Sequence, residues 1–197
     1  MTFEGIDGSG KTTQAELLAE SLRAAGAQVV ATRDPGGTVV GERIRELLLG
    51  EGPRISSWAE TALFAAARAQ LVDEVVRPAL EDGADVVCDR YVDSSLAYQG
   101  IARGLGIEPV LELNLGATQG LLPDRTFLVL LDPEEAARRS TGDADRIERE
   151  GLEFQSSVDR AYRELAARFP ERITMLDGTR PADELARIVR DELRQLS

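Results

Sequence analysis

The sequence predicts an α/β fold in which a parallel five-stranded sheet carries helices on both faces. Three observations support this. Five short apolar runs of β-type residues alternate with longer segments of helical periodicity. The runs are nearly continuous in hydrophobicity rather than alternating, as strands buried on both faces of a parallel sheet must be. The first run ends in a glycine-rich segment that opens directly into a helical pattern.

The elements follow in order along the chain. Met1–Glu4 is a short strand. Thr12–Ala25 is helical, with Leu17, Leu18 and Leu22 on one face and Gly26 as its stop. Gln28–Thr32 is a strand and Pro35-Gly36-Gly37 a turn. Val39–Leu49 reads as a helix with Val40, Ile44, Leu47 and Leu48 apolar, and Trp58–Leu80 as one long helix. Asp85–Cys88 is a strand, followed by helices over Asp93–Ala102 and Glu108–Leu115. Thr126–Leu131 is a strand, Glu134–Arg139 a short helix, and Ser140–Asp145 a polar loop or lid. Leu152–Arg168 is a helix, Arg172–Leu176 the last strand and Ala182–Leu196 the last helix. No repeat, low-complexity tract or linker divides the chain, so one domain over 1–197 is expected, with the lid at about 138–149 inside it. Only about four residues precede the first glycine, fewer than the usual 5–6 of a strand. Either the chain has been shortened or its first strand is unusually brief.

Composition narrows the function. The chain has 197 residues, enough for a sizeable core. No apolar run approaches the roughly 18 residues of a membrane span, and no basic-then-apolar leader opens the sequence, so a cytoplasmic protein is expected. Lys+Arg total 23 against 35 Asp+Glu, a net charge of −12. That argues against nucleic acid or an anionic membrane as partner, since both need a basic surface. An anionic substrate requires a local cationic pocket instead. There are no histidines, which removes the commonest general base and the commonest zinc ligand. The one cysteine, Cys88, ends an apolar run and reads as a small core residue. Of the basic residues only Lys11 is a lysine. Position 11 therefore requires a compact ammonium that arginine's planar fork does not replace.

Gly5-Ile6-Asp7-Gly8-Ser9-Gly10-Lys11-Thr12 fits G-x-x-x-x-G-K-[ST] between a strand and a helix, the context in which the pattern means a phosphate-binding loop. Gly5, Gly8 and Gly10 let the backbone curl so that N–H groups, including that of Ser9, and the helix N-terminus with Thr12 and Thr13 face phosphate oxygens. Lys11 reaches the β- and γ-phosphates of ATP, and the Thr12 hydroxyl ligates Mg2+. The fold is thus a three-layer P-loop NTPase. No N-K-x-D guanine motif is possible, since the only lysine is used, and no transporter signature occurs. Asp89-Arg90-Tyr91 follows the Asp85–Cys88 strand at the end of the sheet where ligands bind. Asp89 suits Mg2+ held through water, and Arg90 a bidentate grip on a phosphate.

Taken together, Phe3–Gln14, T-R-D-P-G-G-T at 32–38, F-A-A-A-R-A-Q at 64–70, D-R-Y-V-D-S-S-L-A-Y-Q-G at 89–100 and D-R-I-E at 145–148 resemble the bacterial thymidylate kinases over most of the chain. The resemblance implies transfer of a phosphoryl group from ATP to dTMP, with Mg2+, in a homodimer. It implies that Phe64 stacks on thymine and Arg68 reaches a base carbonyl. Ser95 and Gln99 would bond the base edge, and Tyr98 would crowd the position of a ribose 2′-hydroxyl. Asp7 would take the sugar 3′-hydroxyl or help to place the phosphates. Arg33, Arg45 and Arg90 would bind the acceptor phosphate, and the Asp177-Gly178-Thr179 loop would lie near adenine. Arg45 also reads as a solvated helix arginine, and Asp177 as the start of a turn.

The chain departs from the family in one respect. Family members without an arginine inside the P-loop supply arginines from the lid, yet Ser140–Asp145 contains none. The donors on offer are Arg138, Arg139, Arg146 and Arg149, with Arg138 and Arg146 favoured. Three alternatives stay open: another nucleoside monophosphate kinase, for dGMP or CMP; a nucleotide-binding module without turnover; and a shikimate- or gluconate-type P-loop kinase, against which the aromatic Phe64 favours a base over a small acid.

Overall fold

The structure is a computed structural model that describes residues 1–140 and 144–194. Five strands and the helices between them appear in the expected order. Strand β1 (Thr2–Glu4) leads through the glycine-rich loop into α1 (Lys11–Ala24), β2 (Val29–Arg33) and α2 (Val39–Leu49). Helix α3 (Ser57–Leu71) runs through a π-helical segment, Val72–Val76, into α4 (Arg77–Glu81). Strand β3 (Asp85–Asp89) precedes α5 (Val92–Ser95), a second π-helical segment, Leu96–Ala102, and α6 (Ile107–Thr118). Strand β4 (Thr126–Leu130), α7 (Pro133–Arg139), a 3-10 turn at Glu148–Glu150, α8 (Leu152–Arg168), β5 (Ile173–Asp177) and α9 (Ala182–Arg194) complete the chain. The expected end of the last helix at Leu196 lies outside the described residues.

All neighbouring strands pair in parallel, in the order β2-β3-β1-β4-β5. The first strand is only three residues long yet sits at the centre of the sheet, and all three residues are buried. Its shortness is compatible with that place because β3 and β4 supply pairing on both sides. Successive residues of β4 enter opposite cores. Phe127 and Val129 pack with Phe3, Leu18, Leu176 and Val189 on the α1/α9 face. Leu128 packs with Leu96, Val110 and Leu165 on the α8 face. A strand whose alternate side chains are both buried has no polar face, which is why the run is unbroken in the sequence. The Phe3 and Phe127 rings stack with centroids 5.3 Å apart.

Three details differ from the sequence expectation. The segment expected as one long helix over Trp58–Leu80 is interrupted by the π-helical segment, and the one expected over Asp93–Ala102 is mostly π-helix. A π-helical segment of five or seven residues is too short for apolar periodicity to separate it from α-helix; π segments often mark functional positions. On α2 only Leu48 of the four apolar residues is fully buried, while Val40 and Leu47 stay about half-exposed. This helix lies at the rim of a cleft rather than over the core.

Candidate active site

The C-terminal ends of β1, β2 and β3 converge on one cleft, as the topology of an open parallel sheet requires. Gly5, Gly8 and Gly10 have φ of +140°, +79° and +95°. At Gly8 the need for glycine is doubled, because an added Cβ would lie 2.1 Å from the Ala136 carbonyl oxygen of α7. Gly10 starts α1 in a left-handed conformation with no side chain capping it. The first amides of α1 are thereby left to an anion. Lys11 is buried and its Nζ donates to Asp7 Oδ1 at 2.9 Å and to the Ile6 carbonyl at 3.4 Å. Ser9 Oγ is buried with no partner among the described residues.

Thr12 Oγ1 donates to Asp89 Oδ2 at 2.5 Å, and Asp89 Oδ1 is buried without a partner among the described residues. A hydroxyl beside an orphaned carboxylate oxygen is an oxygen-only donor pair, which suits a hard divalent cation. No cluster of three acidic, Cys or His side chains forms a metal cage among the described residues.

Arg90 adopts φ +68°, a left-handed backbone rare for a side chain of this size, and aims its guanidinium back over β1. Its Nη2 donates to Asp7 Oδ1 at 2.6 Å, and its Nη1 to Ser94 Oγ at 3.2 Å and Tyr162 Oη at 3.1 Å. Asp7 thus bridges Lys11 and Arg90. Burial alone would raise its pKa, but the charges and hydrogen bonds of Arg90 and Lys11 outweigh this and hold it well below the usual carboxylate range. Asp7 is ionised throughout the neutral range and is not an acid or base there.

Beneath this pair lies Glu4, which the sequence reading missed. It is fully buried and accepts from the Tyr91 backbone N–H at 2.8 Å, Ser94 Oγ at 2.6 Å and Tyr162 Oη at 2.8 Å. The two hydroxyls that receive Arg90 therefore rest on Glu4. Burial first, and then the nearby Asp93, raise its pKa to about 7. An acidic residue at the end of the buried central strand, next to Phe3 and directly before the first glycine, was the available signal.

The second half of the cleft is open to solvent and is lined by Phe64, Arg68, Ser95, Tyr98 and Gln99 together with Arg45, Asp7 and Arg90. Seven of the eight expected substrate residues besides Asp7 are thus gathered there. Arg33 is the exception: it lies outside the lining, half-exposed, with Nη2 paired to Glu42 at 3.0 Å. Arg45 donates to the Pro35 carbonyl at 3.0 Å, next to the cis Asp34–Pro35 peptide. Arg68 is 1% exposed, with Nε on Asp34 Oδ2 at 2.5 Å and Nη1 on Ser95 Oγ at 3.0 Å and on Asn114 Oδ1. Asp34 and Asn114 were not foreseen. They come from the turn after β2 and from α6, and no local pattern links them to Arg68.

The four candidate lid arginines are all engaged elsewhere. Arg138 is largely exposed and pairs with Glu135 at 2.6 Å. Arg139 joins Glu135 to the Gly178 carbonyl, the latter at 2.9 Å. Arg146 binds the Leu48 carbonyl and Glu60 Oε2, both at 2.6 Å. Arg149 pairs with Glu51 at 3.3 Å. Of the expected polar lid stretch, residues 141–143 lie outside the described residues. Asp177 accepts from Thr179 N and Oγ1 at 3.0 and 2.6 Å. An added Cβ on Gly178 would sit 3.3 Å from the Ser9 carbonyl oxygen, so this loop lies against the phosphate loop. Thr13, one residue into α1 beyond Thr12, is exposed. Among the described residues no helix is long and apolar enough to cross a membrane.

Comparison with known proteins agrees with this geometry. The thymidylate kinase family model matches residues 3–189. The thymidylate kinase of Thermoanaerobacter sp. strain X514 is 47% identical over 192 residues, covering 97% of this chain and 93% of that protein. That of Deinococcus radiodurans is 49% identical over 189 residues, covering 94% and 91%. The crystal structure of the thymidylate kinase from Ehrlichia chaffeensis superposes with a TM-score of 0.80 at 32% identity, covering 98% of this chain and 96% of that one.

Proposed function

The chain belongs to the thymidylate kinase family, and from that premise we propose that it transfers the γ-phosphoryl group of ATP to dTMP, giving dTDP and ADP. The observation that carries this reading is the meeting of two halves at Asp7. A complete phosphate loop with Lys11 lies on one side, and a cleft lined by Phe64, Arg68 and Gln99 on the other.

The attacking group is a phosphate oxygen of dTMP, already anionic at neutral pH, so no general base is needed and the lack of histidine is no obstacle. That oxygen bonds to the γ-phosphorus while the bond from γ-phosphorus to the β,γ-bridging oxygen breaks and ADP leaves. The protein's task is alignment and neutralisation of charge. The loop amides and Lys11 hold the β- and γ-phosphates. Arg90, with Arg45 at the cleft rim, holds the acceptor phosphate, and Arg33 turns inward from Glu42 to join them. Asp7 fixes Lys11 and Arg90 relative to one another and offers an acceptor to the sugar 3′-hydroxyl. Phe64 stacks on the base, and Tyr98 occupies the space of a 2′-hydroxyl. Asp177 and Thr179 border the adenine. Thr12 and Asp89 would hold Mg2+, which when bound neutralises charge on the phosphates. Arg138 and Arg146 exchange their present carboxylate partners for the transferring phosphoryl when the lid, about residues 138–149, closes.

The outward faces of α3 and α6 form an apolar groove lined by Ala62, Ala66, Ala69, Leu113 and Gly116. We assign it to a homodimer of single-domain subunits, which light scattering at micromolar concentration tests; a monomer there rejects it. A cytoplasmic location follows the same reading.

The deciding assay is ADP release with ATP and Mg2+ on separate dTMP, dUMP, dCMP, dGMP, dAMP and UMP. By far the highest kcat/KM for dTMP is expected. A different preferred monophosphate overturns the base assignment, and no turnover with any of them overturns the kinase reading.

A further inference from the structure

The polar faces of the base cleft are set by atoms not yet committed. Arg68 spends Nε and Nη1 on Asp34, Ser95 and Asn114, and its Nη2 has no hydrogen bond among the described residues. As a guanidinium it offers only donors. Gln99 is different in kind. Its amide has a donor end and an acceptor end, and the side chain can turn either to the cleft. Its Nε2 donates to Glu60 Oε1 at 2.8 Å, which leaves Oε1 without a partner among the described residues.

Glu60 is 1% exposed and lies one helical turn before Phe64 on α3. It also receives Arg103 Nε at 2.6 Å, Arg103 Nη2 at 3.0 Å and Arg146 Nη2 at 2.6 Å. Burial works against its charge, but the hydrogen bonds of Arg103, Arg146 and Gln99 outweigh it and lower its pKa. Arg103 alone makes two of these bonds and stays on Glu60 when Arg146 moves to the phosphoryl group, and a carboxylate so held has acceptors only. Turning the Gln99 carbonyl toward it would set two oxygens against each other in a buried site and leave the amide N–H2 facing the cleft.

We propose that Glu60 is a positioning residue for base selectivity, locking the Gln99 amide so that its carbonyl oxygen alone faces the cleft. The proposal rests on the reading of the cleft as a thymine site. With Glu60 in place the cleft presents a donor at Arg68 beside an acceptor at Gln99. A pyrimidine with a 4-carbonyl and an N3–H matches both. A 4-aminopyrimidine, with its amino group and bare N3, matches neither. Without the lock Gln99 would rotate and donate to that bare N3, removing half of the discrimination. A site built to bond one polar pattern rejects the reverse pattern because buried groups are left unpaired.

The test compares inhibition by dCMP with the KM for dTMP in the wild type, Glu60→Gln, Glu60→Asp and Arg103→Gln. Glu60→Gln keeps the shape but lets the neighbouring amide flip. The ratio of dCMP Ki to dTMP KM is expected to fall at least about tenfold in it. Glu60→Asp, which retains a carboxylate, is expected to recover most of the ratio, and Arg103→Gln, which removes a partner of Glu60 but not of Gln99, to keep it. An unchanged ratio in Glu60→Gln overturns the proposal and leaves the thymidylate reading standing. An equal fall in Arg103→Gln overturns it too, since the effect would then be general loosening. A wild type that binds dCMP as well as dTMP overturns the thymine reading and the proposal together. If Glu60→Gln does not fold, hydrogen exchange of the wild-type Gln99 side-chain amide, identified by its loss in Gln99→Met, decides. Protection supports the lock, and free exchange overturns it.

Discussion

The phosphate loop and the base cleft meet at Asp7 but are built by different means. The loop is local. Eight consecutive residues, Gly5–Thr12, set its curve, and its binding groups are largely backbone amides that need only glycines and one lysine. The cleft is assembled from the turn after β2, α2, α3, α5 and the π-helical segment, and its binding side chains are held by buried carboxylates from elsewhere in the chain. Anions bound by backbone need little side-chain support. A base read by side chains needs those side chains fixed, and in a buried site only charged or well-bonded partners fix them. Removing a support should therefore be worst in the cleft for folding and worst in the loop for turnover.

The largest expected effect is on folding, in the cleft. Arg68→Ala strands Asp34, whose side chain is fully buried and has Arg68 as its only salt-bridge partner among the described residues. An uncompensated buried charge costs about 3–5 kcal/mol. Denaturant unfolding should show such a loss, whereas Arg68→Ala combined with Asp34→Ala should recover part of it. A loss near 1 kcal/mol for the single variant would mean that the pair contributes little.

Next is the loop. Lys11→Ala removes the only lysine of the chain, the group proposed above to hold the β- and γ-phosphates. Turnover is expected to fall at least about a hundredfold, roughly 2.7 kcal/mol, with unfolding little changed. Near-normal kcat would remove Lys11 from the charge-neutralising role. Phe64→Ala should do the reverse on a smaller scale, raising the KM for dTMP about tenfold with kcat largely kept, since stacking acts alike in ground and transition state. An unchanged KM counts against stacking.

The same contrast explains what the sequence made legible. The loop was readable to the residue because sequence adjacency is spatial adjacency there. Phe64, Arg68, Ser95, Tyr98 and Gln99 became legible through resemblance to a family, not through periodicity. Their supports did not. Asp34 looked like part of a Pro-Gly turn, Asn114 like a helix residue and Glu60 like the first turn of a helix. Nothing in their local pattern separates a solvated carboxylate from one buried beneath an arginine. The π-helical segment that carries Tyr98 and Gln99 was read simply as helical, because seven residues are too few for periodicity to separate it from α-helix. Arg138 and Arg146 were favoured among the four arginines around the polar stretch, yet all four pair with carboxylates: Arg138 and Arg139 with Glu135, Arg146 with Glu60 on α3 and Arg149 with Glu51 after α2.

Glu4 stands where loop and cleft join, and its titration gives the smallest and most specific test. Its carboxyl is raised from 4.5 to about 7, first by burial and then by Asp93, while Asp7 is held in the opposite direction and titrates far below neutrality. A carboxyl whose folded pKa exceeds its unfolded value binds its proton more tightly when folded. Its stabilising contribution is therefore complete below about pH 4.5, declines as pH rises through 7, and is absent above. Between pH 5 and 8 the wild-type Tm should fall by a few degrees more than that of Glu4→Gln, in which nothing titrates at this position. Asp7 contributes no slope in that window, so the difference belongs to Glu4. Parallel Tm–pH curves for the two proteins would show that Glu4 is already ionised at pH 5, held so by Arg90 through Ser94 and Tyr162. In that case the join between the two halves would be an ion network throughout, stronger than burial.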